Sequence, residues 1–140
     1  MVCIDDAKVF ELSTFGNENG KLAVFENSAG LSFNIVRIFY IFGVNTGEVR
    51  GNHANKYSDF FMMCVCGSCK VSIKDYNGNE TTVVLDKPNK GLLIPALLWK
   101  KMYDFSPDAV LLVLSNKHYD PNEYYKDYSL FCKEMKEKGC

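Results

Sequence analysis

The stretch Arg50-Gly51-Asn52-His53-Ala54-Asn55-Lys56 gathers residue types suited to moving protons. An imidazole changes charge near neutral pH, so His53 can take up or deliver a proton under cellular conditions. A carboxamide hydrogen-bonds a hydroxyl or carbonyl but does not titrate, so Asn55 can hold an oxygen and carries no proton. The stretch lies between two apolar runs rich in β-formers, and residues two apart on a strand share a face. His53 and Asn55 are therefore expected to look into one space. The same alternation turns Arg50 and Lys56 away from it, unless the strand bulges or they reach a neighbouring subunit's pocket.

Other chemistries find less support. A metal site in a small β-barrel of this size would use His-x-His, a nearby carboxylate and a later histidine. Here the pair is His53 and Asn55, Asp59 is the available carboxylate, and the other histidine, His118, falls in a loop. Asparagine is a poor ligand for iron, manganese or zinc, so no metal is expected. Cys66-Gly67-Ser68-Cys69 has the spacing of half a zinc site or a redox pair, but no second half follows. The six cysteines, Cys3, Cys64, Cys66, Cys69, Cys132 and Cys140, read as reduced structural thiols. No nucleophile elbow, phosphate-cradling glycine loop or dinucleotide fingerprint is present. Sixteen basic against seventeen acidic residues leave no cationic excess for nucleic acid. The longest apolar run, 60–66, is too short to span a bilayer, and the N-terminus lacks a secretion signal, so a cytoplasmic location is expected.

The elements that must position these residues are mostly strands. Short β-like runs recur at 9–12, 21–26, 33–42, 60–66, 69–75, 81–85, 91–95, 99–105 and 110–115, separated by turn residues. Gly67-Ser68 and Asn77-Gly78-Asn79 read as hairpin turns. Such spacing predicts an all-β sandwich or barrel, formed by a single domain over 1–140. Asp120-Pro121-Asn122-Glu123 reads as a helix start, with Tyr124, Tyr128, Phe131 and Met135 as its apolar stripe and a fraying tail from Lys133. The run 33–42 is apolar on both faces, interrupted only by Asn34 and Arg37. A strand at a monomer's surface would alternate with polar residues, so a second sheet or subunit is expected to cover it. A homodimer follows as the expectation.

Several stretches, taken in order, resemble one family. Arg50 to Lys56 resembles the motif Arg-Gly-x-His-Ala-His-Lys of the sugar 3,4-ketoisomerases, with Asn55 in place of the second histidine. Further matches are Asn19-Gly20-Lys21-Leu22, Val36-Arg37-Ile38-Phe39-Tyr40, Gly91-Leu92-Leu93-Ile94-Pro95, Trp99, Phe105-Ser106-Pro107 and Tyr124-Tyr125-Lys126-Asp127-Tyr128. The resemblance spans 9–131. It implies a cupin-type jelly-roll β-barrel with one C-terminal α-helix. It also implies an isomerase that moves the keto group of dTDP-4-keto-6-deoxyglucose from carbon 4 to carbon 3 through an enediol, without metal or redox cofactor. His53 and Asn55 would be its catalytic pair, with Asn55 impairing turnover. Two origins of that impairment compete: a natural variant using a different proton relay, or an engineered change that traps substrate, the latter being favoured. The alternatives are a cupin that binds the nucleotide sugar without turnover, and a dTDP-sugar epimerase.

A dTDP-sugar needs cations for its diphosphate and flat surfaces for thymine and hexose. Arg37 is the leading cation, because a charge inside an apolar strand is costly unless it meets an anion. Arg50, Lys56 and Lys101 follow, with Trp99 and Tyr103 as stacking or lining residues. Lys100 reads as a solvated edge lysine.

Overall fold

A computed structural model describes residues 1–27 and 31–139; Cys140 lies outside them. Among these residues twelve strands and one α-helix follow in order. They are β1 (Lys8–Glu11), β2 (Ser13–Asn17), β3 (Gly20–Val24), β4 (Arg37–Phe42), β5 (Arg50–Asn55), β6 (Phe60–Cys66), β7 (Cys69–Lys74), β8 (Glu80–Leu85), β9 (Lys90–Ile94), β10 (Trp99–Tyr103), β11 (Val110–Ser115), β12 (Tyr124–Tyr125) and α1 (Tyr128–Gly139). Two antiparallel five-stranded sheets, in the orders β1-β9-β6-β11-β4 and β12-β5-β10-β7-β8, face each other, and β2 and β3 form a separate hairpin. This is the expected cupin-type jelly roll with a C-terminal helix.

The two sheets meet over side chains that alternate inward: Phe60, Met62 and Cys64 of β6 against Val71 and Ile73 of β7, joined by Leu111 and Val113 of β11. Each such side chain contributes about 1.5–3 kcal/mol when fully withdrawn from water. The opposite face of β6 is apolar too, and its reason is visible. Phe61 and Met63 are covered by Leu12, Leu31 and Phe33, so the N-terminal segment blankets the outside of that sheet. β4 differs. Its inward Phe39 and Ile41 pack on the core, while outward Ile38, Tyr40 and Phe42 are 58%, 60% and 68% exposed.

Two sequence expectations change here. The segments 60–66 and 69–75 are not hairpin partners, since β6 and β7 belong to different sheets. Gly67, at φ +68°, turns the chain from one sheet to the other, and a Cβ there would lie 2.9 Å from Ala109 Cα. The helix also starts later than its capping pattern suggests. Asp120 caps only a short 3₁₀ turn, Pro121–Glu123, and the Glu123 carboxylate turns away from it. That carboxylate accepts from the Ser58 amide at 3.0 Å and the Ser58 hydroxyl at 2.5 Å. Tyr124 and Tyr125 then pair with Asn55 and Ala54 of β5. α1 begins only after Asp127, whose carboxylate accepts from the Leu130 amide at 3.0 Å. It runs to Gly139. Its apolar stripe, Phe131 and Met135, packs with Trp99, Tyr125 and Ala54 on the outer face of the second sheet.

Candidate active site

β5 carries His53 between the two sheets, and an irregularity in its pairing determines what accompanies it. Along β10, Lys100 pairs with His53 and Lys101 with Gly51, so Asn52 is an extra, bulged residue. Gly51 and Asn52 both take positive φ, +76° and +60°, as a bulge requires. Removing one residue from the alternation puts Arg50 on the same side as His53. Arg50 and His53 consequently border one cavity of about 420 Å³, whose floor includes Phe60, Met62 and Met102. Arg37 and Phe39 of β4 form the opposite wall, and Tyr119, Tyr124 and Lys126 close the end. A second hollow of about 360 Å³ lies beside the loop 43–49, with Glu48 as its carboxylate. It holds no imidazole, whereas the first is bordered by His53.

The His53 ring stands edge-on to Tyr124, 4.7 Å between centroids. Its Nε2 is buried without a hydrogen-bond partner among the described residues, while a backbone hydrogen bond from the ring involves Gly51. Burial, and then the charges of Lys100 and Lys126, push its pKa down to about 4 against the opposing effects of Gly51 and Glu123. His53 is thus a neutral imidazole across the physiological range, able to accept a proton at Nε2. Arg37 stands with its guanidinium carbon 5.0 Å from the centre of the Phe39 ring and 5.5 Å from that of Tyr119. Its Nε and Nη2 are buried with no partner among the described residues. Unpaired guanidinium donors beside a cavity are suited to an anion, which they can bind in bidentate fashion.

Asn55 shares the inward side of β5 with His53 but lies deeper, with no exposed surface. Its Oδ1 accepts from Lys100 Nζ at 2.5 Å, and its Nδ2 has no partner among the described residues. The expected pair is therefore split: the imidazole reaches the cavity, and the carboxamide sits behind the wall holding a lysine. Lys100 is not the solvated lysine its sequence context suggests, since it is only 1% exposed.

The remaining candidates lie elsewhere. Trp99, Lys101 and Tyr103 occupy the alternate face of β10. Trp99 packs on Tyr128 and Phe131 of the helix and donates to Asn52 Oδ1 at 3.1 Å. Lys101 rests over the Tyr103 ring at 5.7 Å. Lys56 is exposed, its ammonium 5.1 Å from the Tyr125 ring centre. None of these four borders the cavity. Tyr119, Tyr124 and Lys126 do, although Tyr124 reads in the sequence as helix packing. The signal that would have found it is Glu123, a buried carboxylate that fixes the following residue against β5. Of the cysteines, Cys64 and Cys69 are buried neighbours, and a hydrogen bond between the two thiols pushes Cys69 far up and Cys64 down.

Comparison with known proteins places the chain among sugar 3,4-ketoisomerases and their relatives by sequence and fold. A relative from Aneurinibacillus thermoaerophilus, a TDP-4-oxo-6-deoxy-alpha-D-glucose-3,4-oxoisomerase, is 35% identical over 126 residues, 90% of each chain. WlaRA, a TDP-fucose-3,4-ketoisomerase from Campylobacter jejuni, superposes with a TM-score of 0.85 at 37% identity, covering 92% of this chain and 95% of its own. A mutant of the 3,4-ketoisomerase QdtA from Thermoanaerobacterium thermosaccharolyticum, with asparagine in place of a histidine, is in complex with TDP-4-keto-6-deoxyglucose. It superposes with a TM-score of 0.89 at 28% identity, covering 98% and 99%. The family model described as FdtA: WxcM-like, C-terminal matches residues 5–136, and the chain belongs to that family.

Proposed function

We propose that the protein is a sugar 3,4-ketoisomerase acting on a dTDP-linked 4-keto-6-deoxy hexose. The observation that carries this reading is a single cavity bordered by a neutral imidazole with an unpartnered nitrogen and by a guanidinium with unpartnered donors. The reaction asks for little more. A ketone at carbon 4 acidifies the hydrogen on carbon 3. Its removal gives an enediol, and reprotonation at carbon 4 leaves the ketone at carbon 3. Such a step needs proton carriers and groups that hold the two oxygens. His53 is one proton carrier. Arg37, with Arg50 beside it, would hold the diphosphate, and the apolar floor of Phe60 and Met62 would exclude water from the enediol.

Incubation with dTDP-4-keto-6-deoxyglucose, followed by proton NMR, tests the assignment. The expected result is a 3-keto product formed catalytically; an unchanged spectrum at high protein concentration would count against it. A second reading, binding without turnover, is favoured by Asn55, which cannot titrate. It predicts that the same incubation gives a tight complex and no product.

We also propose a homodimer. The row Ile38, Tyr40 and Phe42 on the edge strand β4 is a contiguous exposed apolar surface, which a second copy would cover. Sedimentation at the mass of one chain would remove that proposal. A cytoplasmic site of action fits the nucleotide-sugar substrate. No helix among the described residues is long and apolar enough to cross a membrane.

A further inference from the structure

Lys100 is a buried amine that the reading above leaves unused. It is the direct cross-strand partner of His53, shares the inward face of β10 with Met102, and is 1% exposed. The structure gives this amine one hydrogen bond, to the Asn55 carboxamide at 2.5 Å. Neither ion pair found among the described residues involves Lys100. The charged or titratable groups facing it are Glu123 from the 3₁₀ turn, Asp59 ahead of β6 and His53 from β5; across β7 its register partner is Ile73. Both carboxylates are engaged elsewhere, Glu123 with Ser58 and Asp59 with Ala96 and Asn116. A buried ammonium without a carboxylate partner is costly, and stability alone gives no reason to keep one. It also adjoins the cavity, because Nζ lies 4.8 Å from the centre of the Phe60 ring, which forms part of the floor.

We propose that Lys100 is the second proton carrier of this site, parked on Asn55 at rest and reaching the hexose by rotation of its flexible stem past Phe60 and Met102. The proposal rests on the ketoisomerase reading and makes Asn55 a docking group for an amine instead of a defective acid–base residue. In the step, the neutral amine takes the proton from carbon 3. The C–H electron pair becomes the double bond between carbons 3 and 4, and the carbonyl pair moves onto the carbon 4 oxygen. His53 carries the proton of the carbon 3 hydroxyl to that oxygen. The Lys100 ammonium then returns its proton to carbon 4 as the carbon 3 carbonyl closes, so protons and electrons balance without a co-reactant. Burial supports the role: it lowers the lysine's pKa to about 7, opposed by Glu123 and Asp59, so the amine is available as a base near neutrality.

The test uses dTDP-4-keto-6-deoxyglucose in deuterium oxide, with exchange at carbon 3 and product formation followed by NMR, and dTDP binding by calorimetry. The wild-type protein is expected to show kcat/KM rising with pH to a plateau above about 7, whereas a site run by His53 alone would reach its plateau just above about 4. Lys100→Met is expected to bind dTDP as the wild type does and to lose roughly 100- to 10,000-fold in exchange. Adding Asn55→His to Lys100→Met is expected to restore exchange and abolish the titration near 7. Wild-type exchange in Lys100→Met, a wild-type profile flat through neutrality, or a wild-type protein that binds ketosugar but exchanges nothing would each overturn the role of Lys100. Of these, the first two leave the isomerase reading intact and the third overturns it as well, as would a chain that fails to bind the ketosugar. Should Lys100→Met not fold, the wild-type pH profile decides alone.

Discussion

Replacing His53 by glutamine is expected to reduce ketoisomerase turnover by about 100- to 10,000-fold, with dTDP affinity changed little. Glutamine keeps a polar end in the cavity but takes up no proton, so the loss should fall on kcat. The pH dependence separates this role from a structural one. Burial and the neighbouring Lys100 and Lys126 hold the imidazole pKa at about 4 in the folded protein, below its ordinary value. The folded chain therefore binds fewer protons here than the unfolded chain, and stability falls as pH drops through that window. Protonation of His53 should likewise remove what activity is left toward pH 4, below the separate loss that Lys100 imposes near 7. In His53→Gln the contribution of this group to acid sensitivity should vanish, so the variant should resist acid unfolding better than the wild type. Turnover and acid unfolding curves on the same preparation check both points.

Arg37→Met is expected to weaken dTDP binding by roughly 10- to 100-fold, the loss of one or two charge-assisted hydrogen bonds. Methionine suits the position because the guanidinium already rests among Phe39, Phe60 and Tyr119, so the fold should survive. The defect should appear in KM for the nucleotide sugar with kcat largely preserved. Rising salt should weaken wild-type binding more than that of the variant. Calorimetry at two ionic strengths measures the difference. Equal affinities for dTDP would move the diphosphate away from β4.

The sequence exposes the strands because burial on a jelly roll follows a period of two, and the apolar runs at 60–66, 69–75 and 110–115 appear as β6, β7 and β11 with little change. It misleads where one residue serves two purposes. Glu123 sits three positions after a capping aspartate, as a capping box would have it, but its carboxylate is spent on Ser58 of a distant loop. That single interaction converts an expected first helical turn into β12 and sets Tyr124 beside His53. Arg50 turns inward only through the bulge at Asn52, a feature that depends on pairing with β10. On β10 itself, parity decides everything. Trp99 and Tyr103 look like stacking residues, yet their face meets the helix and solvent, and the cavity side belongs to Lys100 and Met102. Nothing local distinguishes two adjacent lysines on a strand; only the register with His53 tells which one is buried. Arg37 was legible for the opposite reason, since a charge in an apolar strand needs a partner.

A structure of the protein holding dTDP-4-keto-6-deoxyglucose tests most directly whether the cavity between β4 and β5 is the hexose chamber. It should show the sugar's carbons 3 and 4, or their oxygens, about 3–3.5 Å from His53 Nε2, with the diphosphate against Arg37. A ligand seated instead beside the loop 43–49, or a hexose whose reacting carbons face away from His53, would contradict the assignment.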